Sequence, residues 1–406
     1  ITMYNLHLTA EQIEFRDTVR SFAANEIKEA AILPARLEPF EKPLMMDLLN
    51  SVSELGLRTL TLSEENDGVG TDTMTSCIVL EELAAGDIDI ATALGQTALL
   101  GQLLFDKWAS ASQREIFLSQ FVENEQFHLA YAGQDANALV GWNYYEDLHQ
   151  EPGTQPKATK EGDGWVIDGS IGFVANAPIA KLLIIQVQTD AGLSALLVPS
   201  DTSGLTIHEA AGPFGEGTVQ WHHGCGAQVD FTGCKVPLDN EIQNPGATND
   251  YAVQVELQRA AINLGLGQAA YDTAVDYTKM RRQGGRMIVE HQAIGDMIAN
   301  MAIKLELART MIWKAAWVAD HPEAISDHSV PDLPLHTMAS VYTAEAVHEV
   351  TLLAAECFGA MGVMRDMPLQ KFVNDGFIMA HSDTNDLATK LRIAEVIVEY
   401  ERSRAA

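Results

Sequence analysis

The sequence predicts a mainly α chain with a central β domain. A helical segment spans about 3–125, an antiparallel β-barrel or sandwich about 126–240, and a four-helix bundle about 241–406. Three observations carry this. Apolar residues recur at helical spacing through 9–125, short β-rich runs bounded by turn residues follow, and helical periodicity returns from about 248. At 406 residues the chain is too long for one simple layer and long enough to bury a large core.

The elements follow in order. Thr9 and Gln12 have capping-box spacing ahead of Ile13, Phe15, Val19 and Phe22, which predicts a helix start. Asn66-Asp67-Gly68-Val69-Gly70 reads as a turn leading into the helix-like run Ile78 to Ala84. Trp165 to Gly169, Leu182 to Gln188 and Ala195 to Pro199 read as strands. Asp163-Gly164, Asp190-Ala191-Gly192 and Asp201 to Gly204 punctuate them. In the last third, Ile294, Met297, Met301, Leu305, Ala308, Ile312 and Ala315 fall three or four apart, the mark of one buried helical face. A loop from His321 to Pro334 precedes a helix that ends near Phe358.

Composition narrows the function. Hydrophobic content of 47% with 20% charged residues describes an ordinary globular chain. A net charge of −30 argues against nucleic-acid binding, which needs basic surface. No apolar run reaches the roughly 18 residues of a membrane helix, so no membrane span is expected. The first residues lack a basic head and an apolar stretch, and the four scattered cysteines form no CxxC pair. Both favour a cytoplasmic, reducing setting. His222-His223-Gly224-Cys225 has no second ligand pair at zinc spacing, so no metal is expected. Gly265-Leu266-Gly267 imitates a dinucleotide fingerprint, but no strand precedes it, so close helix packing is the expectation.

The most informative segment is Tyr277 to Met301, YTKMRRQGGRMIVEHQAIGDMIANM. A guanidinium at the end of a long helix can make a bidentate pair with a phosphate, and an amide such as Gln292 can bond a ribose or a base edge. The segment resembles the Arg-x-Gln-Phe-Gly-x-Pro-Ile…Gln-Ala-Ile stretch of acyl-CoA dehydrogenases. Arg281, Gln283, Gly285, Arg286, Ile288, Gln292, Ala293 and Ile294 match; Gly284 and Met287 depart from it. Leu55-Gly56-Leu57 with Glu64 and Gly68-Val69-Gly70, Ser112-Gln113-Arg114, Gly164 to Asn176, and Val229 to Pro237 resemble other family motifs in the right order.

The resemblance implies FAD as cofactor and an acyl-CoA thioester as substrate, with electron-transfer flavoprotein as a partner. It also implies that Arg281, Gln283 and Gln292 hold the ADP half of FAD bound to a neighbouring subunit, joined by Gly359, Thr384 and Asn385. The implied reaction removes the α proton as H⁺ and passes the β hydrogen as hydride to the flavin, so it needs a carboxylate base. Here the sequence departs from the family. Ser382 stands at the base position, and Gln258, before Arg259, stands at the alternative one. Asp383 is the candidate substitute. His381 and Glu256 are weaker, Glu256 being about 200° around a helix from Gln258. The flavin-ring motif is replaced by Leu129-Ala130-Tyr131-Ala132-Gly133, and Ala175 stands where a hydroxyl is usual.

Three readings stay open. One is a non-catalytic subunit of an α2β2 dehydrogenase with a sister chain, by analogy with those of steroid degradation. Another is a self-sufficient flavoenzyme using Asp383. The third is a non-enzymatic CoA-ester-binding scaffold.

Overall fold

The computed structural model describes residues 7–32, 44–133, 156–208, 222–243, 247–364, 366–381 and 386–399. Among the described residues, six α-helices come first: α1 (Ala10–Phe22), α2 (Lys28–Ala31), α3 (Met46–Glu54), α4 (Thr73–Gly86), α5 (Ile88–Gln102) and α6 (Ala111–Glu123). The expected capping box is present. Thr9 Oγ1 accepts from Gln12 N at 3.1 Å, and Gln12 Oε1 accepts from Thr9 N at 3.0 Å. Asp87 separates α4 from α5. Its extended backbone (φ −154°, ψ 128°) breaks the helix, and its carboxylate caps α5 by accepting from Asp89 N and Ile90 N.

The middle of the chain supplies β1 (His128–Ala132), β2 (Lys157–Glu161), β3 (Gly164–Ala175), β4 (Ala180–Thr189), β5 (Gly192–Pro199), β6 (Leu205–Ile207), β7 (Gly226–Pro237) and β8 (Glu241–Ile242). The path runs β6-β7-β3-β2-β4-β5-β8, with β1 also on β4. The expected antiparallel order holds for most pairs, but the sheet is mixed: β1 and β2 both run parallel to β4. Parallel neighbours need long connections, and alternation within a strand carries no information on direction. Leu183, Ile185 and Val187 of β4 join the core of the sheet, whereas Leu182 and Ile184 face α5 and α6. That two-sided burial explains why β4 reads as an unbroken apolar run.

The last third holds α7 (Ala247–Met280), the hairpin strands β9 (Arg282–Gln283) and β10 (Arg286–Met287), α8 (Gln292–Asp320), the short α9 (Glu323–Ser326), α10 (Leu335–Phe358), α11 (Leu369–His381) and α12 (Asp386–Ile397). The predicted stripe is buried at Met301, Leu305, Ala308, Ile312 and Ala315, while Ile294 and Met297 are half-buried.

One core is shared between the first and last thirds. Leu80, Leu83, Ile90 and Leu94 of α4 and α5 pack in one cluster with Leu264 of α7, Leu305 of α8 and Val347 of α10. Two helical stretches, Ile88–Trp108 and Leu335–Val363, are long and apolar enough to cross a bilayer by length and composition. The first is almost wholly interior, and α10, within the second, packs against α7, α8 and α11. Helices apolar on all sides are expected in the centre of a large core.

Gly265 and Gly267 are where α7 meets its neighbours. A Cβ at Gly265 would lie 2.1 Å from Glu81 O of α4, and one at Gly267 would lie 2.8 Å from Leu305 Cδ2. The glycines serve close helix packing, as expected. Gly265→Ala should therefore destabilise the chain by about 1–3 kcal/mol, read by urea denaturation; a loss under ~0.3 kcal/mol would show that α4 moves freely.

Candidate functional site

The segment that stands out in sequence forms a compact device at one end of the bundle. α7 stops at Met280, and Gln283-Gly284-Gly285-Arg286 reverses the chain, with Gln283 opposite Arg286. Gly284 and Gly285 have φ of 64° and 83°, as a two-residue type I′ turn requires. The hairpin is tied down by Ile288 N donating to Arg281 O at 2.9 Å and by a 3.1 Å contact from His291 Nε2 to Gln283 O. Gln292 is the first residue of α8.

Two contacts bring the end of α10 to the same place. Tyr277 stacks on Phe358 with centroids 3.8 Å apart, and Cys357 Sγ lies 4.0 Å from Met297 Sδ. Gly359 follows immediately, with φ 57°. Arg281, Gln283, Gln292 and Gly359 are thus gathered at one end and exposed. The Arg281, Gln283 and Gln292 side chains have no hydrogen bond or ion pair among the described residues.

Residues 279–291 carry Lys279, Arg281, Arg282 and Arg286 against one acid, Glu290, in a chain of net charge −30. A rigid, locally cationic tip beside a helix N-terminus suits a phosphate-bearing ligand presented from outside.

The expected base region is different in character. Gln258 is buried and uncharged, and Glu256 is engaged elsewhere, its Oε2 accepting from Thr337 Oγ1 at 2.6 Å. His381 ends α11, exposed, with its ring 4.5 Å from Phe377. Ser382, Asp383, Thr384 and Asn385 lie outside the described residues.

On the expected flavin-ring side, Ala130 and Ala132 are buried in β1 and Tyr131 packs on Tyr251 of α7 at 4.5 Å. A Cβ at Gly133 would fall 2.2 Å from Tyr131 Oη, so that ring fills the space beside the strand end. Asn176 is held inward, its Nδ2 donating to Ala93 O at 2.8 Å and to Thr97 Oγ1 at 3.3 Å. Neither Ala130 nor Ala175 has a side-chain donor to offer a heteroaromatic ring.

Sequence reasoning missed a buried ionic cluster where α5, α11 and the 222–225 segment meet. Asp89 Oδ1 lies 3.0 Å from His223 Nδ1 and accepts from Gly224 N at 3.0 Å. His223 Nε2 is 3.3 Å from Asp375 O. Lys371 Nζ is 2.6 Å from Asp375 Oδ2 and 3.9 Å from Asp87 Oδ2. All five residues are buried.

Burial raises the Asp89 carboxyl, but the bond to His223, the charges of His223 and Lys371 and the Gly224 N–H together outweigh that and hold it below the usual range. Burial lowers the His223 imidazole, and Asp89 and Asp375 more than reverse this, so its pKa rises. Lys371 is likewise raised by Asp375, Asp87 and Asp89 despite its burial. The only sequence hint was Asp87-x-Asp89 at a helix start and Lys371 four residues before Asp375. His222 turns the other way, toward Phe173 at 4.5 Å. Among the described residues no group of three or more His, Cys, Asp or Glu is arranged to hold a metal ion.

Comparison with known proteins places the fold. Residues 9–125 match the acyl-CoA dehydrogenase N-terminal domain and residues 254–382 its C-terminal domain. The rat mitochondrial short-chain specific acyl-CoA dehydrogenase is 27% identical over 98% of this chain and 94% of its own length. A probable acyl-CoA dehydrogenase of Bacillus subtilis, YngJ, is 28% identical over 97% of this chain and 100% of its own. The glutaryl-coenzyme A dehydrogenase structure with glutaryl-CoA has the same fold (TM-score 0.79, 24% identity, covering 99% of this chain and 98% of that one). So does PigA with FAD and proline (TM-score 0.79, 19% identity, 97% and 99% covered). A chain from the electron transferring flavoprotein of Acidaminococcus fermentans is likewise similar (TM-score 0.80, 22% identity, 97% and 100% covered).

Proposed function

Because this chain belongs to the acyl-CoA dehydrogenase family, we propose that it is the supporting subunit of a heteromeric, FAD-dependent dehydrogenase. It would assemble as α2β2 with a sister chain of the same fold and act on an acyl-CoA thioester. Arg281, Gln283 and Gln292 grip the ADP half of FAD held mainly by the sister chain. The carrying observation is the contrast between the two ends of the site. The hairpin tip offers exposed hydrogen-bond donors with no partner among the described residues, while Gln258, at the alternative base position that the resemblance implies, is a buried neutral amide.

The residues fit one half of the cofactor and not the other. Arg281 supplies a planar fork for a phosphate, and Gln283 and Gln292 supply amides for the sugar and base edges. At the ring end Ala130 and Ala175 supply no side-chain donor, and Tyr131 with Tyr251 closes the space beside the strand. Bound FAD would provide the hydride acceptor. This chain would provide the nucleotide anchor, shield the site from water and leave proton abstraction to the sister subunit's carboxylate. Electron-transfer flavoprotein is the expected acceptor for the assembly.

The test is purification with and without the sister chain, followed by a flavin absorbance scan. The chain alone should be colourless, and the co-expressed complex should carry flavin and turn over. A yellow, active preparation of the chain alone would favour a self-sufficient enzyme with Asp383 as its base. An assembly without flavin would leave a CoA-ester-binding scaffold.

A further inference from the structure

We propose that His223 is a positioning residue that works as a pH-sensitive latch, its imidazolium pinning α11 to the segment that opens β7 and to the start of α5. The argument starts from hydrogen-bond chemistry. His223 Nδ1 faces the Asp89 carboxylate at 3.0 Å, and Nε2 faces the main-chain oxygen of Asp375 at 3.3 Å. Both partners only accept. A neutral imidazole has one N–H and one lone pair, so it can satisfy one of the two and sets a lone pair against the other. Only the doubly protonated ring donates to both.

The surroundings favour that proton. The charged groups acting on His223 are Asp89 from α5 and Lys371 and Asp375 from α11; Asp87 at the start of α5 is reached through Lys371, and Cys225, two residues along the segment, lies near Asp89. Cys225 is pushed up to about 12 by burial and by Asp89, so it stays a neutral thiol. Asp87, Asp89 and Asp375 with Lys371 carry a net charge of −2 in a buried cluster. A protonated His223 reduces it to −1. The raised His223 pKa agrees with this arithmetic.

The latch joins distant parts of the chain. Asp89 is 134 residues from His223, and Asp375 is 152 residues beyond it. Loss of the proton leaves one of the two bonds without a donor, and the weaker, longer contact to Asp375 O is the one expected to open. α11 then keeps the Lys371–Asp87 pair as a polar tie to α5. The sign follows from the raised pKa. The latch is complete below the ordinary histidine value of about 6.5 and is lost as pH rises through the higher folded value.

Two measurements on the full chain test this. In ¹⁵N NMR, the His223 ring should keep the imidazolium signature at pH 7.5, about one unit above the ordinary value. Amide hydrogen exchange, corrected for its intrinsic pH dependence, should show α11 losing protection about tenfold as the ring deprotonates, while α8 does not. Asp89→Asn should move that transition to lower pH. His223→Gln, which can donate through only one atom, should abolish it. If the glutamine variant does not fold, the wild-type spectrum and exchange profile still decide. A neutral ring at pH 6.5, or α11 protection that is flat with pH or changes only together with α8, would overturn the proposal.

Discussion

Replacing Arg281 by alanine is expected to weaken FAD binding by the assembled complex by roughly 10- to 100-fold, with no change in the stability of this chain. A charge-assisted hydrogen bond contributes about 1.5–3 kcal/mol, and each ~1.4 kcal/mol is a tenfold change in affinity. The side chain has no partner among the described residues, so its removal takes nothing from the fold. Arg281→Lys should recover only part of the loss, because an ammonium is a point charge and cannot make the planar, two-pronged contact. Gln292→Ala should cost less, about fivefold, as befits neutral bonds. Fluorescence titration of the deflavinated complex with FAD measures all three. Equal affinity for wild type and Arg281→Ala would remove the nucleotide-anchoring role.

The second large effect lies in the buried cluster. Lys371→Met should destabilise the chain by about 3–5 kcal/mol in urea, because it removes a buried cation from contact with the buried carboxylates of Asp87 and Asp375. Asp375→Asn should cost less, since it removes a negative charge from a site with an excess of them. A loss below ~1 kcal/mol for Lys371→Met would mean that water reaches these carboxylates.

The cluster also sets a pH window. The depressed Asp89 contributes stability above its unfolded value of about 3.9, and that contribution fades as pH falls toward its folded value. The raised His223 contributes below about 6.5 and loses its contribution as pH climbs through its folded value. Stability from this pair should therefore be greatest between roughly pH 4 and 6.5. A urea midpoint measured across pH checks it, and Asp89→Asn should flatten the profile.

What could be read from sequence was what is local. The Thr9–Gln12 cap and the Ile294–Ala315 stripe each depend on neighbours a few positions away; the cap is where the residues predicted it, and the stripe is buried from Met301 onward. The grouping of Arg281, Gln283 and Gln292 at one exposed tip could be anticipated for the same reason, since they sit within one short segment. The parallel seating of β1 on β4 was not, because the partner strand lies some fifty residues downstream and alternation says nothing of direction. The His223 cluster was invisible because its members come from three separate stretches, and no spacing rule links them. Asp383, Thr384 and Asn385 were named from resemblance alone and lie outside the described residues.

The shared interior of α4, α5, α7, α8 and α10 bears on how this chain can be altered. Its opening third is not a cassette. Chimaeras that swap residues before the sheet for those of a homologue would graft a foreign surface into a close-packed interior, at the contact where Gly265 leaves no room for even a methyl group. Successful exchanges should therefore carry α4 and α7 together, whatever lies between them.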